Sequence, residues 1–177
     1  MSDNLLQKAA RIKLLVLDVD GVLTNGSVYT DGRGTEFKGF NIKDGHGLKL
    51  AQRAGLGLVW LSGRPSAATT GRADELGINE VHQGVHFKLP KFREILAQHG
   101  LSPAQAAFMG DDLIDIPPMR EAGLALAPVD AVFEVRQVAD WVATLPGGHG
   151  AVRQALELIM RANGTWQQAT ARYFENQ

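Results

Sequence analysis

Cysteine is absent from the 177 residues, which excludes disulfides and thiolate metal sites but leaves open a metal site built from oxygen ligands. No apolar run approaches the ~20 residues that span a bilayer as a helix, and the opening MSDNLLQKAARIK lacks the apolar stretch of a signal peptide. An excess of either charge is also missing. Lys and Arg number 18 against 19 Asp and Glu, a formal net charge of −1, so neither a nucleic-acid nor an anionic-membrane partner is expected. With 45% hydrophobic and 21% charged residues, the chain has enough apolar material for a packed core. The expectation is one domain over residues 1–177, soluble and cytoplasmic.

The stretch that organises the chain is Arg11 to Thr24, RIKLLVLDVDGVLT. Ile12 to Leu17 reads as a strand buried on both faces. It ends on Asp18 and Asp20, with Gly21 behind them, and ligands of open parallel sheets collect beyond the carboxyl ends of strands. A calcium loop fails, because Val22 stands where the third oxygen ligand belongs. Two readings remain open on these residues: Asp18 as nucleophile with Asp20 as proton donor, or a polar exit from strand to loop.

Strands and helices alternate along the rest. Leu56–Leu61, Ile78–His82, Ala104–Met109 and Leu124–Ala127 read as strands. Helices are expected over Asp3–Ala10, Asp44–Ala54, Pro65–Leu76, Lys88–His99, Val129–Val138 and Gly150–Ala162, with one more through Leu113, Ile116, Met119 and Ala122, interrupted by Pro117-Pro118. This alternation predicts an α/β fold, a doubly wound, Rossmann-like, mostly parallel sheet. Asp31-Gly32 marks a hairpin within a flap at about residues 26–43, and residues 164–177 form an aromatic tail carrying Trp166, Tyr173 and Phe174. His82 and His86 have a spacing that suits a metal only on a helix, whereas Val81 and Gly84 argue for strand or loop. Gly147-Gly148-His149-Gly150 is not a dinucleotide fingerprint. It reads as a turn into the last helix with its backbone close to another segment.

The second strand ends on Ser62-Gly63-Arg64, Lys88 opens a helix, and the strand before Gly110 ends on Asp111-Asp112 with Asp115 beyond. In this order, DxDGVLT, a strand-end Ser, a Lys and GDDxxD resemble the haloacid dehalogenase superfamily of phosphohydrolases, over Arg11 to Val129. The resemblance implies that the Ser62 hydroxyl donates to a phosphate oxygen, a helix cap being the other reading, and that Lys88 pairs with the nucleophile and the phosphoryl group, preferred over its rival Lys91 one turn on because it begins the helix.

That resemblance implies that Asp18 attacks phosphorus and Asp20 serves as acid and base. It implies Mg2+ held by Asp18, the main-chain carbonyl of Asp20 and Asp111, with Asp112 and Asp115 orienting its surroundings. Retention of Asp20 points to a phosphatase rather than a dehalogenase. Lid domains of the superfamily enter between Thr24 and Asp44 or between Arg64 and Lys88. Both intervals are far below the ~50 residues of a small domain, so no cap domain is expected. An open site then calls for a large substrate or a lid from another subunit, with the flap as candidate.

FNIKDGHGLKL, LSGR, MGDDLIDIPPM and GGHGAVRQALELIM more narrowly resemble the 3-deoxy-D-manno-octulosonate 8-phosphate (KDO 8-phosphate) phosphatases, a capless, Mg2+-dependent, homotetrameric family. The resemblance implies that Arg64 recognises a sugar acid and that Lys43, Asp44 and Gly45 line the substrate entrance. A phosphatase of a nine-carbon sugar acid is the alternative, since such relatives tend to carry an acid at the position of Arg64. A catalytically idle tetramerisation module is another. The tail departs from the lysine-bearing tail expected of close members.

Overall fold

The computed structural model describes residues 3–175; Met1, Ser2, Asn176 and Gln177 lie outside it. Helix α1 (Asp3–Ala10) precedes strand β1 (Leu14–Leu17), followed by a hairpin of β2 (Tyr29–Thr30) and β3 (Glu36–Phe37). Then come α2 (Ile42–Arg53), β4 (Gly57–Leu61), α3 (Ala67–Leu76), β5 (Val81–His82), α4 (Lys88–His99), β6 (Ala106–Met109), α5 (Ile116–Glu121), β7 (Leu124–Ala127), α6 (Phe133–Val138), β8 (Trp141–Val142), α7 (Ala151–Ala162) and α8 (Trp166–Thr170). Six strands form one parallel sheet in the order β5-β4-β1-β6-β7-β8, and the hairpin stands apart as an antiparallel pair. The fold is α/β, as the alternation of elements predicted, with no cap domain among the described residues.

Successive side chains of a strand face opposite ways, and β1 uses both faces. Leu15 and Leu17 join the core shared with α1, α2 and α7, while Leu14 and Val16 join Phe92, Ile95, Met119 and Val135 on the other side. All four β1 residues are fully buried, which is why the strand reads as an unbroken apolar run.

Several boundaries differ from expectation. Asn41 caps α2 by accepting from the Lys43 N–H at 2.8 Å, so that helix begins before Asp44. Pro117 and Pro118 sit in the first turn of α5, where a missing N–H costs nothing; they start the helix rather than interrupt it. The short edge strand β8 was not read from the sequence. The tail is helical: Trp166 lies 4.5 Å beneath the Arg161 guanidinium, and the Tyr173 hydroxyl accepts from Arg53 at 3.0 Å.

From β1 the chain moves outward through β4 and β5, then returns to the far side of β1 for β6, β7 and β8. The reversal leaves a crevice at the carboxyl ends of β1 and β6, where ligands of such sheets bind.

Candidate active site

Asp18 follows the last residue of β1, its N–H donating to the Met109 carbonyl at 3.0 Å, so the ladder that fixes β1 against β6 also fixes this carboxylate. Lys88, at the first position of α4, points inward with a fully buried side chain. Its ammonium donates at 2.6 Å to Asp18 Oδ1 and at 2.6 Å to Asp115 Oδ1. The second oxygen of Asp115 accepts from the N–H groups of Asp111 (3.0 Å) and Asp112 (3.2 Å). Lys91 instead pairs with Glu94 on the surface at 2.6 Å, so of the two lysines Lys88 is the one beside Asp18.

Oxygens of Asp18, Asp111 and Asp115 lie within 4.8 Å of one another. Asp111 Oδ1 is buried and has no hydrogen-bond partner among the described residues. Three carboxylates crowd around one ammonium, which pairs with two of them. Burial, only partly offset by Lys88 and reinforced by Asp115, pushes Asp18 up to about 6. Burial followed by Asp18 and Asp115 pushes Asp111 up to about 9. Burial alone would lower Lys88, yet its two acid partners hold it above its ordinary value. This crowded, all-oxygen set with an orphaned buried atom fits a hard divalent cation, which supplies the missing positive charge.

Glycines make the close approach possible. Gly21 has φ +94°, and a Cβ there would lie 2.0 Å from Asp111 Oδ2. A Cβ on Gly147 would lie 1.7 Å from the Gly21 carbonyl, and the Gly148 N–H donates to Val22 O at 2.9 Å. The GGHG turn thus backs the Asp18–Thr24 loop. Within that loop the N–H groups of Val22, Leu23 and Thr24 all close on the Val19 carbonyl, so these three do not serve as a phosphate cradle.

The remaining residues singled out from the sequence are placed as follows. Ser62, 1% exposed, sits one residue past β4 at the same end of the sheet. Its hydroxyl donates to the Arg64 carbonyl at 3.0 Å and accepts from the Arg64 N–H at 3.2 Å; the N-cap of α3 is Ser66 instead. Asp20 Oδ1 receives the Lys38 ammonium at 2.6 Å, and Arg64 reaches Glu36 at 2.6 Å. Asp112 caps the short turn that follows it, accepting from Leu113 N–H at 2.7 Å. Three residues are not brought to the cluster. Asp44 is 2% exposed and accepts from the N–H groups of Gly150 (3.0 Å) and Arg153 (2.7 Å), capping α7. Gly45 packs against Arg72, and Lys43 is exposed at the start of α2.

Sequence reasoning missed Glu36 and Lys38. Their signal was present: with period two, both share one face of β3 and its extension, and Phe37 takes the other. Phe37 is 56% exposed, whereas the Lys38 side chain is buried against the site.

No protein-family model matches the chain. A curated relative, 3-deoxy-D-manno-octulosonate 8-phosphate phosphatase KdsC of Yersinia pestis, is 38% identical over 170 residues, which cover 96% of this chain and 91% of that protein. The chain belongs to the KdsC-like, capless phosphatases of the haloacid dehalogenase superfamily. Among solved structures, a probable YrbI family phosphatase from Pseudomonas syringae superposes with a TM-score of 0.97 at 40% identity, covering 99% of this chain and 100% of that one. The 3-deoxy-D-manno-octulosonate 8-phosphate phosphatase of Moraxella catarrhalis, solved with magnesium, phosphate and KDO, superposes with a TM-score of 0.94 at 36% identity over 99% of this chain and 100% of that one. Among the described residues, no helix is long and apolar enough to cross a membrane.

Proposed function

We propose that this KdsC-like chain hydrolyses KDO 8-phosphate to KDO and inorganic phosphate, with Mg2+ as cofactor, and so supplies a lipopolysaccharide precursor in the cytoplasm. The observation that carries the chemistry is the Lys88 ammonium clamped between Asp18 and Asp115, beside Asp111, at a strand end. An ion pair kept for stability alone gains little from a third acid with an unpartnered oxygen, because uncompensated buried charge is costly.

Asp18 attacks phosphorus in line, and the bond to the ester oxygen breaks as the aspartyl-phosphate forms. Asp20 gives its proton to the departing oxygen, then takes one from the water that attacks the acyl-phosphate and releases phosphate. Lys38 pairs with Asp20 as the carboxylate, the form that takes the proton from water, and leaves it when Asp20 is protonated for the first transfer. Lys88 balances charge on Asp18 and on the transferring group, and Asp115 keeps Lys88 aimed. The Ser62 hydroxyl turns from Arg64 toward a phosphate oxygen. Mg2+, held by Asp18, Asp111 and the Asp20 carbonyl, would neutralise charge around the transferring phosphoryl group. Arg64 receives the carboxylate of the sugar acid. Val28, Tyr29 and Phe37, about half exposed on the hairpin, support a homotetramer in which hairpins cover neighbouring sites.

A panel of sugar phosphates assayed with Mg2+ tests the reading. Marked preference for KDO 8-phosphate is expected. Equal or better turnover of a nine-carbon sugar acid phosphate overturns the substrate, and no turnover of any phosphate overturns the enzyme. An active monomer in solution overturns the shared lid.

A further inference from the structure

The hairpin touches the site through charge rather than through its apolar face. Glu36 Oε2 accepts from the Arg64 guanidinium at 2.6 Å, and Glu36 Oε1 lies 3.6 Å from the Lys38 ammonium, which also binds Asp20. Ser66 Oγ and Glu36 Oε1 are both shut off from solvent, and neither has a full hydrogen bond among the described residues. The Ser66 hydroxyl nevertheless lies near enough that it, ahead of Lys38 and Arg64, holds the Glu36 carboxyl below its ordinary range. Two cations and a hydroxyl, drawn from the hairpin, the loop after β4 and the cap of α3, converge on one carboxylate next to the proposed proton donor. That is the donor set of a carboxylate-binding subsite, filled by a carboxylate of the chain itself.

We propose that Glu36 is an internal stand-in for the substrate's carboxylate: it occupies the subsite made by Arg64, Lys38 and Ser66 until a carboxylate-bearing phosphate ester displaces it. The sugar-acid reading above enters only in naming which carboxylate that is. The device has a specificity consequence. An ester with a carboxylate replaces the contacts that Glu36 gives up. One without it either leaves Glu36 in the way or strands the Arg64 guanidinium without a partner, and specificity is a difference between such outcomes. Apparent affinity for the carboxylated ester is reduced by the fraction of sites in which Glu36 has withdrawn. Arg64 is half exposed, and ion pairs of that kind are modest, so the reduction is about threefold to fivefold.

Glu36→Gln and the wild type are compared on KDO 8-phosphate, on 6-phosphogluconate as a second carboxylated ester, and on p-nitrophenyl phosphate and glucose 6-phosphate as esters without one. In the variant, KM for carboxylated esters should fall about threefold to fivefold, and their kcat/KM should rise relative to the other two. Glu36→Asp, which keeps the charge on a shorter arm, should move the same ratio part of the way. In an Arg64→Met background, Glu36→Gln should leave KM where it was. A higher KM for carboxylated esters in Glu36→Gln overturns the proposal, since Glu36 would then be positioning Arg64. An equal gain for esters lacking a carboxylate, or no change in the ratio, also overturns it. A response confined to 6-phosphogluconate, with KDO 8-phosphate unused, keeps the stand-in and removes the substrate assignment. Should no ester be turned over, calorimetric binding of the same four compounds gives the same comparison, with the same results for and against.

Discussion

Replacing Lys88 with methionine removes the one ammonium inside the acid cluster while keeping a side chain of similar length. Asp18 and Asp115, each donated to at 2.6 Å, lose their shared partner, and Asp115 is fully buried. One of the two must keep an uncompensated charge or take up a proton. Proton uptake at pH 7, against the reference aspartate value of about 3.9, costs about 4 kcal/mol and caps the penalty. That agrees with the ~3–5 kcal/mol seen when one partner of a buried pair is removed. The folded-state pKa of that acid is raised, so the variant recovers stability below the unfolded value and loses it as pH rises. The penalty should shrink as the pH is lowered from 7 to 5, by at most about 1.4 kcal/mol per unit, because wild-type Asp18 is itself raised to about 6. Urea unfolding at both pH values, with chelator and at one protein concentration, measures it. A difference under about 1 kcal/mol at pH 7, or one that ignores pH, would refute the reasoning. In the same variant kcat/KM should fall by at least ~10²-fold, as for loss of a preorganised charge.

Three further outcomes are expected. Asp18 and Asp111 are raised to about 6 and about 9, so the metal-free protein should be most stable on the acid side and lose stability as pH climbs through those values. Mg2+ should raise Tm more at pH 8 than at pH 5, and an equal rise at both would contradict the charge-crowding account. Gly21→Ala, whose new methyl would displace Asp111, should raise the Mg2+ concentration for half-maximal activity at least ~10-fold; an unchanged requirement would exclude Asp111 as a ligand. Asp44→Ala should cost about 2 kcal/mol by exposing two N–H groups of α7, with KM changed less than about twofold. A large KM effect would return Asp44 to the substrate entrance.

What could be read in the sequence was what is local. The Asp18-x-Asp20-Gly21 turn, Lys88 at a helix start and Asp111 after an apolar strand each carry their chemistry within a few residues. The strand ends then bring them together, because parallel strands place their carboxyl ends on one edge. What escaped depended on distant partners. That Asp44 caps α7 depends on a backbone arriving from 106 positions away, whereas the resemblance spoke only of the substrate entrance. The β8 pair Trp141–Val142 is too short to show a period and is defined only by its ladder to β7. KLPKF favours Lys88 over Lys91 because Lys88 begins the helix, and Lys88 is the one buried beside Asp18. Glu36 and Lys38 were legible as a face of a strand, but nothing local says that this face looks toward Asp20 rather than water.

The central claim is that Asp18 carries the phosphoryl group between two half-reactions. Turnover of KDO 8-phosphate quenched within milliseconds and reduced with labelled borohydride converts an aspartyl-phosphate to labelled homoserine. Peptide mapping should find that label at position 18 and lose it in Asp18→Asn; label at another residue, or none while product accumulates in a burst, would contradict the account.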